Sequence, residues 1–288
     1  MGGLGNQMFQ YAAGRALSAR FGLELKLDIS WFDDMSGCTP RRFLLDIFPL
    51  SATFATEHEC RRLIWREESC IEKVFRKITK RPKLHAVTYF CEPCTFEASA
   101  LESSVGAYLY GYWQSEQYFA AAADIVRKDF DFPPLPTDAS KAMLQAIEAA
   151  PESTAVHIRR GDYVSDATTN AMHGVCSRGY YNVALSFVAS QVRTSHLYIF
   201  SDEPEWVRAH FDTCGLSATV VELHSSDAGY HDMHLMSRCK HHVIANSSFS
   251  WWGAWLSTKS GLVCAPKRWF ATSRKENISP VPSRWISL

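Results

Sequence analysis

A chain of 288 residues that is 47% hydrophobic and 21% charged can bury a sizeable core, which excludes a disordered chain or a miniature held only by disulfides. Lys+Arg and Asp+Glu number 30 each, so the net charge is zero. That excludes nucleic-acid binding by bulk charge and leaves any anion to be caught by a local cluster.

No apolar run approaches the roughly 20 residues of a membrane span, and no signal peptide precedes Gly2. Nine cysteines, spread from Cys38 to Cys264 without a framework spacing, read as reduced, cytosolic thiols. Cys91-Glu92-Pro93-Cys94 is a CxxC, but it lacks the second pair of a zinc site and the strand-to-helix setting of a redox motif, so its thiols read as structural.

The chain opens with Gly2-Gly3-Leu4-Gly5-Asn6-Gln7, a glycine-rich loop, followed by helical spacing over 8–17. Glycines before a helix let backbone N–H groups approach an anion or a sugar closely, although many tight turns look the same. Such a loop usually hangs from a strand, and none precedes it in this sequence. Residues 23–29 alternate with period two and predict a strand. Residues 57–80 are charged, with Cys60, Leu63, Ile64, Ile71, Val74, Phe75 and Ile78 at helical spacing, and predict a surface helix pair with a solvated basic face. Strands are expected over 85–90 and 107–113, then an alanine-rich helix over 116–130.

Pro133, Pro134 and Pro136 mark a stiff connector at 133–137 between a first domain, 1–132, and a second, 138–288. Asp129-Phe130-Asp131 is formally a DxD metal motif, but at a helix end it reads as solvated charge.

The second half alternates more regularly. Helices are expected at 138–149 with Asp138 as N-cap, and at 180–192, 203–211, 227–239 and 249–256. Strands are expected at 154–159, 196–200, 218–223, 242–245 and 262–265. This alternation predicts an α/β fold with a parallel, Rossmann-like sheet, in which ligands bind beyond the carboxyl ends of the strands.

At one such end stands His157-Ile158-Arg159-Arg160-Gly161-Asp162-Tyr163. Two guanidiniums there are costly to bury unless an anion meets them, and a diphosphate suits the planar arginine fork. A structural Arg–Asp pair explains the heptad taken alone equally well. Asp202 ends the next strand, and Ser247 and Ser248 follow a later one. A serine capping a helix shares that helix's positive N-terminus with a phosphate, and a carboxylate can accept two N–H bonds from the edge of guanine. Together these residues describe a nucleotide-diphosphate pocket without a metal.

Other features have plainer readings. Trp251, Trp252 and Trp255 sit on one short helix and read mainly as core, with stacking on a sugar or base as the alternative. His231 and His234 are two potential ligands without a third and read as helix surface; His241 and His242 point to opposite faces of a strand. The absence of GxSxG, P-loop and HExxH patterns weakens hydrolase and kinase readings.

GGLGNQMFQYAAGRAL at 2–17, HIRRGDY at 157–163, FSDEPEW at 200–206 and ANSSFSWWGAWL at 245–256, in that order, resemble the bacterial α-1,2-fucosyltransferases of glycosyltransferase family 11. The resemblance implies a GT-B-like enzyme, with two Rossmann-like domains facing across a cleft. The first would be the acceptor side and the second the GDP-fucose side. The reaction implied is inverting transfer of L-fucose from GDP-fucose to O2 of a terminal β-galactoside such as lactose or N-acetyllactosamine. GDP-fucose is then a donor substrate rather than a cofactor, and no metal is expected. The implied location is the cytoplasm, with peripheral association at the inner membrane face left open.

By position, the resemblance implies that His157 and Asp202 contact the guanosine, that Arg159 binds the β-phosphate, and that Ser247 and Ser248 bind phosphate oxygens. Arg160 joins the substrate-binding set, and Gly5 and Asn6 lie near the phosphate and the fucose or acceptor. Asp162 is the nearest carboxylate and the candidate general base, although two arginines beside it should lower its pKa and make it a poor one; the alternative is that it orients Arg159 or Arg160. His173 or the leaving phosphate are the other proton acceptors. Two other functions stay open: fucosylation of a protein hydroxyl, and a non-catalytic carbohydrate-binding role suggested by nine tryptophans.

Overall fold

The structure is a computed structural model; it describes residues 1–33, 40–93, 96, 106–192, 196–224, 228–271 and 279–288. Cys38, Cys94 and Asp227 of the sequence reading lie outside these residues. The chain forms two compact units, Met1–Asp131 and Phe132–Leu288.

In the first unit, α1 (Leu4–Phe21) starts earlier than its pattern suggests, with Gly3 as N-cap. Asn6 and Gln7 donate their backbone N–H groups to Gly3 O at 2.9 and 3.1 Å. Gly5 and Asn6 are therefore in the first helical turn, not in a loop. Leu4, Met8, Tyr11 and Ala12 fall on one buried stripe, and the helix stops at Gly22, whose φ of 65° suits glycine. β1 (Lys26–Leu27) pairs in parallel with β2 (Thr53–Phe54), so the strand expected over 23–29 is confined to the two residues its partner can match.

α2 (Glu57–Ile64) and α3 (Cys70–Thr79) each begin with a capping box, Thr56 with Glu59 and Ser69 with Glu72. β3 (Tyr89–Cys91) and β4 (Tyr108–Tyr110) pair in parallel. The single helix expected over 116–130 is instead two 3-10 turns, Glu116–Tyr118 and Ala120–Ala122, followed by α4 (Ala123–Asp129). Phe119 breaks the run at φ −135° and buries its ring beside Phe9, with centroids 6.2 Å apart. Asp129 is not a solvated helix-end charge. It is buried, and it accepts bonds from Tyr11 OH and Arg15 Nε, both at 2.7 Å. Burial and this carboxylate push the Tyr11 phenol well above its ordinary pKa.

The second unit is built on one parallel sheet. α5 (Asp138–Ala149) is capped by Thr137 rather than Asp138, because Thr137 Oγ1 accepts the Ser140 N–H at 3.1 Å. Then come β5 (Ser153–Ile158), α6 (Gly161–Ser165), α7 (Ala167–His173), α8 (Arg178–Gln191), β6 (His196–Ser201), α9 (Pro204–His210) and β7 (Ser217–Val221). They are followed by α10 (Tyr230–Arg238), β8 (His241–Val243), α11 (Ser248–Trp255), β9 (Val263–Ala265) and β10 (Ile286–Ser287).

The period of two in the strands divides the core between the sheet's faces. Val156, Ile158, Leu197 and Ile199 pack with Ala184, Leu185 and Val188 of α8. Ala155, Tyr198 and Phe200 pack with Ile147 of α5 and with Leu235 and Met236 of α10. Trp251, Trp252 and Trp255 are all buried, so the core reading holds for each. His231 is buried too, beside Tyr230 and His224, and is not the helix-surface residue its spacing suggested. The described cysteines are unpaired.

The strand order is β10-β9-β8-β5-β6-β7. The chain builds outward from β5 through β6 to β7, then returns to place β8 on the other side of β5. That reversal is a topological switch point, where the loops beyond two adjacent strands diverge and leave a crevice.

Candidate active site

The carboxyl ends of β5, β6 and β8 carry the residues of interest. Val156 pairs with Val243 and Ile158 with Ser201, so the chain leaves all three strands at about the same level. Arg159 is held from two sides. Its Nη2 donates to Asp162 Oδ1 at 2.6 Å, and its Nη1 lies 3.0 Å from Asp202 Oδ2. Burial opposes its charge, but Asp202 and Asp162 more than offset this and hold its pKa above the ordinary value. A guanidinium fixed by two carboxylates loses little freedom when it meets a further anion.

Asp202 anchors the loop as well as the side chain, since its Oδ1 accepts the Arg160 N–H at 2.9 Å. Gly161 makes room for this contact: a Cβ there would lie 2.5 Å from Asp202 Oδ2. Arg160 has a different fate from its neighbour. Its Nε donates to Glu203 at 2.8 Å, and its guanidinium lies 3.8 Å from the centre of the Trp206 ring. Asp162 is paired with Arg159 through the 2.6 Å bond to its Nη2.

His157 is buried, with its ring 5.5 Å from that of Phe249 in the first turn of α11. Its Nδ1 has no hydrogen-bond partner among the described residues. Burial, aided by the Arg159 charge, lowers its pKa to about 3, so the ring is neutral at ordinary pH. His242 is also buried, its Nε2 donating to Met236 O at 2.9 Å, with its pKa lowered by burial to about 4.

These two histidines make stability pH-dependent. Each binds a proton more readily in the unfolded chain, so its contribution is complete above pH 6.5 and is lost as pH falls toward 4 and then 3. The expected outcome is a falling unfolding free energy below pH 6.5, by up to about 1.4 kcal/mol per pH unit for each histidine. Urea melts at stepped pH should show a shallower slope in His242→Gln; an unchanged slope would remove His242 as a contributor.

Ser247 is the N-cap of α11, its Oγ accepting the Phe249 N–H at 3.3 Å, and Ser248 is the first helical residue. Ser250 Oγ bonds back to Ala245 O and Ser247 O, and Trp251 Nε1 donates to Pro280 O at 2.9 Å, which fixes the helix end against the core.

Asn246 was missed by reading the sequence. It is buried, its Nδ2 donates to His173 O at 2.8 Å, and its Oδ1 accepts from Cys176 Sγ at 3.3 Å. Its own carbonyl accepts from Tyr163 OH at 3.2 Å, and Tyr163 lies beneath the Arg159 guanidinium at 5.6 Å. Asn246 thus ties the β5 loop to the β8 loop. The available signal was an asparagine directly before the two serines at a strand end. His173, weighed as a base, stacks on Tyr163 with centroids 5.0 Å apart.

The structure thus brings His157, Arg159, Asp162, Asp202 and Ser247 to one end of one sheet, while Arg160 turns to α9. Gly5 and Asn6 belong to the first unit. There Asn6 Oδ1 accepts from Gln114 Nε2 at 2.7 Å, and Gly2 takes φ 76° with Asn6 packed so closely that a Cβ would lie 2.7 Å from Asn6 Nδ2. Gln7, given no role of its own in the sequence, is buried and braces the same turn by donating to Gly2 O and Arg42 O and accepting from Leu44 N–H.

The family described as Glycosyl transferase family 11 matches residues 83–288. An α-1,2-colitosyltransferase of Escherichia coli is 33% identical over 291 residues, covering 100% of this chain and 96% of its own. The O-antigen biosynthesis glycosyltransferase WbnK of Escherichia coli is 31% identical over 307 residues, covering 100% and 98%. Among solved structures, POFUT1 in complex with GDP-fucose overlaps with a TM-score of 0.49 at 14% identity, covering 91% of this chain and 93% of its own.

Proposed function

The chain belongs to glycosyl transferase family 11, and we propose that it transfers L-fucose from GDP-fucose to O2 of a terminal β-galactoside, with inversion and without a divalent metal. The observation that carries this reading is Arg159, pinned by Asp162 and Asp202 at the switch point where Ser247 caps α11. As the bond from fucose to the diphosphate breaks, negative charge builds on the leaving oxygen and positive charge on the sugar. A preorganised guanidinium and helix N–H dipoles stabilise that charge without reorganising.

The neutral, unpartnered Nδ1 of His157 suits a polar contact with the nucleoside. Asp202, with an oxygen on each arginine segment, serves here as a positioning residue for Arg159 rather than a reader of guanine. Asp162 has the same duty. Gly5 and Asn6 of α1 are assigned to the acceptor side, together with the rest of the first unit.

A second donor has a specific observation behind it: the full-length relative at 33% identity is named for colitose, the 3-deoxy analogue of L-fucose. Purified protein should be given GDP-fucose or GDP-colitose, with lactose, N-acetyllactosamine or a peptide, with and without chelator. The expected result is GDP release with a galactoside that chelator leaves unchanged, and an α-1,2 linkage in the product by NMR. Release only with GDP-colitose would reassign the donor. Release only with the peptide, or none with any galactoside, would overturn the acceptor class, and loss of activity with chelator would overturn the metal-free mechanism.

No helix among the described residues is long and apolar enough to cross a membrane. A cytoplasmic, peripherally attached enzyme fits the nucleotide-sugar donor.

A further inference from the structure

α3 is amphipathic in the wrong sense for a helix packed on a protein body. Ile71, Val74, Phe75 and Ile78 follow the spacing i, i+3, i+4, i+7 and form one stripe. That stripe should be the buried side, yet its residues are 82%, 58%, 56% and 75% exposed. No residue of α3 is buried. The least exposed residue of the helix is instead Arg76, which donates to the largely buried Glu68 at 2.8 Å. Leu84 and Val87, a few residues after the helix, are also exposed, at 58% and 94%. Scattered exposed leucines are ordinary, but a contiguous stripe on an outward helix face marks a surface that is covered by something.

The charges say what covers it. Residues 70–83 carry six basic side chains and one acidic one, in a chain of zero net charge. Other cations of α2, α3 and the turn between them find carboxylates: Arg61 pairs with Glu57, Arg66 with Glu72 and Arg76 with Glu68. Lys73, Lys77, Lys80, Arg81 and Lys83 have no such partner among the described residues. Arg81 lies against the stripe itself, 5.8 Å from the Phe75 ring centre, and Lys83 lies 5.3 Å from that of Trp65.

We propose that α3 and the segment through Lys83 seat this protein on an anionic lipid bilayer, with the stripe in the headgroup boundary and the surrounding cations on the lipid phosphates. A helix is about 10 Å across, so even lysines on its far flank lie within about a Debye length of the surface, and their stems can reach down along the apolar side. A second copy is a poorer occupant, because a two-fold contact would place this cationic surface against itself. An anionic bilayer supplies the apolar layer and the opposite charge together.

The test is co-sedimentation of the full chain with vesicles of phosphatidylcholine alone or with about one-third phosphatidylglycerol, at low and high salt. Binding is expected only to the anionic vesicles and should weaken with salt. The stripe variant Ile71→Gln/Phe75→Ser should bind at least about 10-fold less, and each of Lys77→Gln and Arg81→Gln about fivefold less. All these side chains are exposed, so the variants keep the fold. GDP release on a soluble galactoside should be unchanged in each, which separates this proposal from the catalytic one. Failure of the unaltered protein to bind anionic vesicles, or equal binding by the stripe variant, would overturn the proposal. So would a concentration-dependent dimer that the stripe variant abolishes without any vesicle binding, which would give the face to a second copy.

Discussion

Replacing Arg159 with alanine is expected to lower turnover by about 100- to 1,000-fold, the usual loss when one preorganised donor to a developing anion is removed. The same change also removes the guanidinium shared by Asp162 and Asp202, whose side chains are only 16% and 24% exposed. Losing that ion pair in such a setting destabilises the protein by about 1–3 kcal/mol. The two effects separate with Arg159→Lys. Lysine restores a cation between the carboxylates and recovers much of the stability, but it cannot reproduce the fork that reaches two carboxylates and a phosphate together. Turnover in Arg159→Lys should stay at least about 10-fold down. Single-turnover GDP release measures the first effect and thermal melts the second. A folded Arg159→Ala protein with turnover near that of the parent would remove Arg159 from the mechanism.

Asp202→Asn should lower kcat by about 10- to 100-fold, the scale of a lost charge-assisted bond, while the affinity for GDP changes little. The amide can still accept the Arg160 N–H, but one of its two ends must present N–H groups to arginine donors. Arg159 then loses one of its two anchors and meets the leaving phosphate less often in the productive pose. A residue that read the guanine edge would behave differently, raising KM for GDP-fucose and weakening GDP binding with kcat preserved. That second pattern would return Asp202 to base recognition and leave Asp162 as the main support of Arg159.

The two arginines of the 157–163 motif show why a motif alone does not assign chemistry. In the sequence Arg159 and Arg160 are equivalent neighbours. In the structure the loop after β6 separates them, because Asp202 accepts the backbone of one and the guanidinium of the other, and Glu203 and Trp206 take up Arg160. Asp129 shows the same effect in reverse. Its solvated helix-end reading failed because Tyr11 and Arg15, more than a hundred residues earlier, close over it.

What the sequence determined by itself is what depends on near neighbours. The period of two in β5 and β6 divides one apolar run between two faces, and helix spacing put the tryptophans of α11 in the core. Tertiary structure alone decided the return of β8 to the side of β5, the joining of Arg159 to Asp202, the role of Asn246 as a tie between two loops, and the outward turn of the α3 stripe. Each of these is a choice between partners far apart in the chain that look alike in local pattern. Such choices are settled by which long-range packing buries the most surface while satisfying every polar group, a balance that no short window of residues contains.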